Sequence, residues 1–207
     1  VATQRGVSAE DVLTHMADGR VFIGQQALDA AHHLHPFSDA HSLNQLGSRV
    51  VVRGEGVRIW DSEGQCIIDG MAGLWCVNIG YGRPELGNVA KRQMDELCYY
   101  NTFFQTTHVP AIALAAELAK IAPEGMNHTF FAGSGSEAND TNIRLVRRYW
   151  QVKGMPEKRV IIARKNGYHG STMGGGSLGG MSPIHAHGGK IDGIHHIDQP
   201  DWWSEGG

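Results

Sequence analysis

The sequence predicts an α/β fold with a mostly parallel sheet, on three observations. Asn127 to Phe131 reads as a short strand, Ser136 to Lys153 as a long helix ended by Gly154, and Arg159 to Arg164 as a second strand. That order is a β-α-β unit, which requires parallel strands with a helix on the sheet face. Gly133, Gly135 and Ala138 stand in G-x-G-x-x-A spacing where the first strand hands over to the helix, the edge at which open α/β sheets bind ligands. The region from Val50 to Gly70 differs: short apolar strands flank Gly54-Glu55-Gly56 and Ser62-Glu63-Gly64, the pattern of an antiparallel meander.

The elements follow in order. Ser8 to Asp11 fits a capping box, opening a short amphipathic helix through Met16. Val50-Val51-Val52, Val57 to Trp60 and Cys66 to Asp69 supply the meander. Pro84 suits a first helical turn, and Leu86, Val89, Ala90, Met94 and Leu97 recur at helical spacing after it. A further helix from Pro110 carries Ile112, Ala115, Leu118 and Ala119 on one face. Gly174 to Gly180 is glycine-rich, and Gly193 to Asp198 reads as another strand.

Composition narrows the class of protein. The chain has 207 residues, 41% of them apolar, enough for a sizeable core. Its 18 basic and 21 acidic residues, with no long run of one sign, give no footprint for nucleic acid or an anionic membrane. No apolar run reaches membrane-span length and no signal peptide opens the chain, so the expected location is the cytoplasm. Cys66, Cys76 and Cys98, odd in number and set among apolar residues, read as reduced thiols in buried packing. The chain begins at Val1 without a methionine and stops soon after an apparent strand, so a fragment is expected.

The glycine turn is a ready anion site. Free N–H groups and the helix dipole attract an anion, glycine permits close approach, and Ser134 and Ser136 add hydroxyls. A simple helix cap by either serine is the competing reading. A nicotinamide dinucleotide, and with it an NAD(P)-binding oxidoreductase domain, calls for an acidic residue at the end of the second strand. Arg164-Lys165-Asn166 stands there instead, leaving Arg164 for a phosphorylated dinucleotide. A single compact phosphate bonded by hydroxyls suits the serines better.

Gly133-Ser134-Gly135-Ser136-Glu137-Ala138-Asn139-Asp140, followed by Asn166-Gly167-Tyr168-His169-Gly170-Ser171-Thr172, resembles the class III (omega) aminotransferases, pyridoxal-phosphate enzymes of fold type I. Ala31 to Phe37, Asp69 to Cys76, Tyr100 to Phe104 and Ser177 to Met181 are similar to the subgroup acting on omega-amino acids and diamines with pyruvate as acceptor, and the likeness covers about residues 30 to 207. It implies that residues 1–80 form an N-terminal segment and part of the small domain, and that 81–207 form the first part of a truncated cofactor-binding large domain.

By the resemblance, Ser134, Gly135 and Ser136 hold the phosphate of pyridoxal 5′-phosphate, Tyr168 stacks on its ring and His169 lies beside it. Phe37, Trp75, Phe103 and Phe104 line the substrate pocket, the last two reaching a partner subunit's site, which implies a homodimer with shared active sites. The Schiff-base lysine and the acidic partner of the pyridine nitrogen are expected beyond Gly207. None of Lys153, Lys158, Lys165 or Lys190 stands in a matching motif, so the chain alone is expected to be inactive.

Leu97-Cys98-Tyr99-Tyr100 and Ser182 to Asp192 depart from the family pattern. That leaves beta-alanine-like omega-amino acids, putrescine-like diamines and arylalkyl amines open as donors, although Pro123 to His128 and Gly133 to Asn139 are most similar to diamine users. A non-catalytic alternative comes from the twelve histidines. His32, His33 and His35 form one group and His185, His187, His195 and His196 another, the raw material of a metal-binding module. No cysteine or carboxylate pattern supports a closed site, so the expected number of metals is none.

Overall fold

Two glycine-containing turns fold the first β-rich stretch back on itself. In the computed structural model, which describes residues 24–205, β1 (Val51–Glu55), β2 (Arg58–Asp61) and β3 (Cys66–Ile68) form an antiparallel sheet in the order β1-β2-β3. Glu55 pairs with Arg58 across a two-residue connection, and the register slips once between Val51 and Arg53. Buried Asp61 organises the second turn: its Oδ1 accepts the N–H of Glu63 at 3.1 Å and of Gln65 at 2.9 Å, and Arg49 Nε lies 3.6 Å from Oδ2. The meander is thus as expected. The helix expected from Ser8 to Met16 lies outside the described residues.

Two helices precede the sheet, α1 (Gly24–His32) and α2 (Ala40–Leu46). After it come a single turn at Ala72–Trp75 and α3 (Pro84–Leu97), with Pro84 in its first turn. The chain divides into two compact units between Tyr100 and Asn101.

In the second unit α4 (Val109–Ile121) starts at His108, whose ring Nδ1 accepts the Ala111 N–H, and α5 (Gly135–Val152) starts at Ser134. Parallel pairing joins β4 (Ile161–Arg164) to β5 (Ile194–Ile197), in register from Ile161 opposite Ile194 to Arg164 opposite Ile197. The connection between them carries α6 (Met173–Leu178) and α7 (Ser182–Ala186), and α8 (Trp202–Glu205) follows. The parallel crossover therefore runs from β4 to β5. Residues 127–131, expected to be a strand, have no ladder partner among the described residues and are irregular, because a strand exists only through its pairing.

The glycine-rich stretch forms α6, which propensity alone disfavours at about 1 kcal/mol per glycine. Close approach is the compensation. Gly174 to Ser177 are all buried, and a Cβ at Gly174 would sit 2.1 Å from Asp140 Oδ1 on α5.

Two further sequence expectations need correction. Among the described residues the apolar side chains buried are Ile143 and Ile194, at 6% and 4% exposure, while Leu86, Val89, Met94 and Leu97 of α3 and Ile112 of α4 stay exposed. The amphipathic stripes are present, but no described element covers them, so the sizeable core is not assembled. Likewise Cys66, Cys76 and Cys98 are free thiols but exposed. Cys66 faces outward from β3 as strand alternation dictates, and Cys76 and Cys98 sit at the ends of helical turns.

Candidate active site

The mouth of α5 is built by two side chains that close on each other. Ser134, extended at φ −158° and ψ 162°, accepts the Glu137 N–H on its Oγ at 3.1 Å, and Glu137 Oε2 accepts the Gly133 N–H at 2.8 Å. This variant of the capping box satisfies two of the donors at the helix start. The N–H groups of Gly135 and Ser136 have no partner among the described residues. Ser134 does cap the helix, as the simpler reading of the motif held, and its hydroxyl still has a proton to donate.

Ser136 ties this mouth to the loop after β4. Its Oγ accepts the Ser171 N–H at 3.1 Å, Asn139 Nδ2 donates to the His169 carbonyl at 2.8 Å, and Thr172 Oγ1 donates to Asp140 Oδ1 at 2.8 Å. Ser136, Asn139 and Asp140 are three and four positions apart on α5, so they share one face. Between the ties, Gly170 has φ +120°, and a Cβ there would lie 2.1 Å from Ser136 Oγ. The loop touches the helix start only because residue 170 is glycine.

The structure thereby gathers five of the expected residues in the second unit: Ser134, Gly135 and Ser136 at the helix mouth, and Tyr168 and His169 on the pinned loop. Tyr168 is 52% exposed, and Asn166 beside it holds a left-handed φ of 60°. Two unpartnered N–H groups and two hydroxyls at the positive end of an 18-residue helix fit a phosphate. A flat ring needs an exposed aromatic face nearby, which Tyr168 supplies. Asn139, Asp140, Gly170 and Thr172, which fix this geometry, received no role from the sequence, although the helical spacing of Asn139 and Asp140 from Ser136 was readable there.

The expected pocket residues fall in both units. Phe37 and Trp75 belong to the first, and Phe103 and Phe104 to the second, where their rings meet edge to face at a centroid distance of 6.2 Å. All four are exposed, Trp75 at 73% and Phe104 at 95%. Phe37, Trp75 and Phe104 also share an uncommon backbone, with φ of 53°, 66° and 53°. Positive φ at a bulky residue is strained and persists only where its surroundings impose it, which is characteristic of functional sites.

The strain is greatest around Trp75. Ala72, Gly73, Leu74 and Trp75 all have positive φ, from 48° to 66°, making one left-handed turn at a cost of about 1–2 kcal/mol for each non-glycine residue. Asp69 holds it. Its Oδ1 accepts the Met71 N–H at 3.1 Å, and its Oδ2 accepts the Gly73 N–H and the Tyr81 hydroxyl, both at 2.7 Å. The Tyr81 bond, helped by the backbone donors, holds the Asp69 carboxyl below the usual carboxylate range, and the same bond raises the Tyr81 phenol.

Three of the four lysines singled out in the sequence are engaged elsewhere. Lys153 and Lys158 lie over Tyr149 and Trp150, at the far end of α5, roughly 25 Å along the helix from its mouth, and Lys165 pairs with Asp198. The histidine groups have structural partners. Asp29 bonds His33 Nδ1 and His35 Nε2, each at 2.8 Å, and these three are the one set among the described residues with ligand atoms close enough for a metal. Asp29 is the carboxylate that the sequence pattern did not reveal, and bonds from Ser48 and His33 lower its pKa to about 2. His185 and His196 bond the carbonyls of Gly179 and Leu178 at the end of α6, so they satisfy a helix terminus.

The class-III aminotransferase family model matches residues 39–202. The putrescine–pyruvate aminotransferase of Pseudomonas aeruginosa is 61% identical over 183 residues, covering 88% of this chain and 40% of that protein. Among solved structures, a thermostable (S)-enantioselective omega-transaminase from Thermomicrobium roseum superposes with a TM-score of 0.85 at 40% identity, over 90% of this chain and 42% of the other. The omega-transaminase of Pseudomonas jessenii in complex with PMP superposes with a TM-score of 0.85 at 34% identity, over 88% and 40%. The chain thus spans about two fifths of the length of these relatives. Neither a dinucleotide-binding oxidoreductase nor a histidine-rich metal module is supported. With its helix mouth, pinned tyrosine loop and parallel strands, the chain belongs to the class-III aminotransferases, enzymes of fold type I that use pyridoxal 5′-phosphate.

Proposed function

We propose that this chain carries the phosphate-holding part of a transaminase that moves an amino group from a putrescine-like diamine to pyruvate. The observation that carries the reading is the helix mouth: unpartnered N–H groups at Gly135 and Ser136, with the Tyr168 loop bonded across it. Ser134, Gly135 and Ser136 hold the cofactor phosphate, and Tyr168 lies against its ring with His169 beside it. When bound, the cofactor supplies an electron sink for cleaving a bond next to the transferred nitrogen. The chain's own residues do the rest: the mouth anchors, the aromatic face orients, and Phe37, Trp75, Phe103 and Phe104 shape the space for the amine and exclude water.

The diamine preference draws on the 61% identity to a putrescine–pyruvate aminotransferase, and omega-amino acids and arylalkyl amines are its rivals. A solved relative in which one tryptophan was replaced by glycine was engineered for bulky amines, and a tryptophan limiting donor size is the role proposed here for Trp75. Residues 1–80 are assigned to the N-terminal segment and small domain, and 81–207 to the large domain. The exposed stripes of α3 and α4 suit burial against the remaining length of a relative-sized protein and against a second copy in a homodimer with shared active sites. No described helix is long and apolar enough to cross a membrane, and three free thiols suit the reducing cytoplasm.

The test is the donor spectrum of the full-length protein with pyruvate. Putrescine should exceed beta-alanine and 1-phenylethylamine in kcat/KM by roughly tenfold or more, the scale of one well-placed polar contact. Beta-alanine or 1-phenylethylamine as the better donor would overturn the diamine assignment.

A further inference from the structure

We infer that Asp69, Tyr81 and Gly54 are positioning residues that set amine size selectivity by holding Trp75 in its left-handed turn. The inference rests on the reading of Trp75 as a pocket wall and goes beyond it, to what fixes the wall in place.

The chain of contacts starts in the sheet. Tyr81 and Gly56 exchange both backbone hydrogen bonds, Tyr81 N–H to Gly56 O at 2.8 Å and Gly56 N–H to Tyr81 O at 3.1 Å, which fastens Tyr81 to the end of β1. Its ring lies directly on Gly54: a Cβ built there would be 2.6 Å from Tyr81 Cγ. Only glycine at 54 lets the ring come this close to the strand. From that seat the Tyr81 hydroxyl reaches Asp69 Oδ2 at 2.7 Å, and beside a Cβ at Gly73 it would lie at 3.1 Å and Val77 Cγ2 at 2.8 Å, so the two side chains fill the space at the turn. Asp69 follows β3, and its N–H is fixed to Val57 O at 2.9 Å. The carboxylate is therefore held from the sheet on one side and by Tyr81 on the other, while it grips the Met71 and Gly73 N–H groups.

The grip matters because the turn does not hold itself. Ala72, Leu74 and Trp75 each prefer to leave the left-handed region, and relaxing any of them redirects the Trp75 side chain. The internal bonds, Trp75 N–H to Met71 O at 2.8 Å and Val77 N–H to Ala72 O at 2.9 Å, close the turn only while Asp69 sets its first residues. Tyr81 is given no contact with amine or cofactor, and its effect passes through Trp75.

The experiment compares four variants of the full-length, cofactor-loaded protein: Trp75→Ala, Tyr81→Phe, Asp69→Asn and Gly54→Ala. Each is assayed for kcat and KM with putrescine and with 1-phenylethylamine. Tyr81→Phe removes one oxygen and keeps the ring on Gly54, so folding is not at stake. The expected result is that Tyr81→Phe and Asp69→Asn narrow the discrimination between the two amines by roughly tenfold, the worth of one charge-assisted hydrogen bond. The change should lie in KM, with putrescine kcat within about twofold, in the direction that Trp75→Ala takes. Gly54→Ala should do the same by displacing the ring. Combined with Trp75→Ala, Tyr81→Phe should add little, since both act on one wall. If Trp75→Ala shifts selectivity and Tyr81→Phe does not, the positioning role is wrong and the pocket reading stands. If Trp75→Ala shifts nothing, the pocket reading of Trp75 fails and takes the positioning role with it.

Discussion

Asp69 shows how a single carboxylate organises a strained piece of backbone. It accepts two backbone N–H groups and one phenol, and those bonds favour its charged form, so its pKa lies below the unfolded value. The sign of the linkage follows. A lowered folded pKa contributes stability that is present above the unfolded value, near 3.8, and is lost as pH falls through the folded one. The thermal midpoint of wild type should exceed that of Asp69→Asn at neutral pH, and the gap should close at acid pH below about 4. A gap independent of pH would mean that the charge plays no part in holding the turn. This residue carried only a place in a matching motif in the sequence, because its partner Tyr81 stands twelve positions on and only folding brings the two together.

At the scale of elements, the contact between α5 and α6 decides whether the helix mouth and the tyrosine loop meet. Gly174 lies against Asp140, which also accepts from Thr172 Oγ1 and the Gly175 N–H. Gly174→Ala places a methyl where only 2.1 Å is free and should cost about 1–3 kcal/mol, the range for overpacking, read from chemical denaturation of the full-length protein. Cofactor affinity should fall with it, because the loop carrying Tyr168 is pinned by the same contact. An unchanged midpoint would show that α6 shifts freely on α5. The long helix α5, the meander and the strands β4 and β5 were legible from periodicity and turn residues. The helix α6 was not: three glycines argue against helix locally, and only the space between α5 and β4 explains them. Residues 127–131 err in the opposite direction, since their composition suits a strand but pairing is a property of neighbours.

Across the whole molecule, the expected site residues divide by what fixes them. That Ser134, Gly135, Ser136, Tyr168 and His169 lie together was legible because the glycine-serine motif is local and the loop follows the next strand directly. Phe37, Trp75, Phe103 and Phe104 were named through family likeness, and the backbone adds a separate reason to single out three of them, their positive φ. The exposed stripes of α3 and α4 mark surfaces that a chain spanning two fifths of its relatives leaves uncovered. The full-length protein should sediment as a dimer. A monomer with full activity would contradict the assignment of Phe103 and Phe104 to a shared site.

The central claim is that the mouth of α5 holds the cofactor's phosphate, and paired affinities test it most directly. Titrating full-length wild type and Ser136→Ala with pyridoxal phosphate and with pyridoxal separates the phosphate from the ring. The substitution removes a phosphate donor and one of the bonds that pin the Tyr168 loop, so it should weaken pyridoxal phosphate by about tenfold or more, the worth of a hydrogen bond to a charged group, and pyridoxal by distinctly less. Equal loss for both ligands, or no loss for either, would contradict the phosphate assignment.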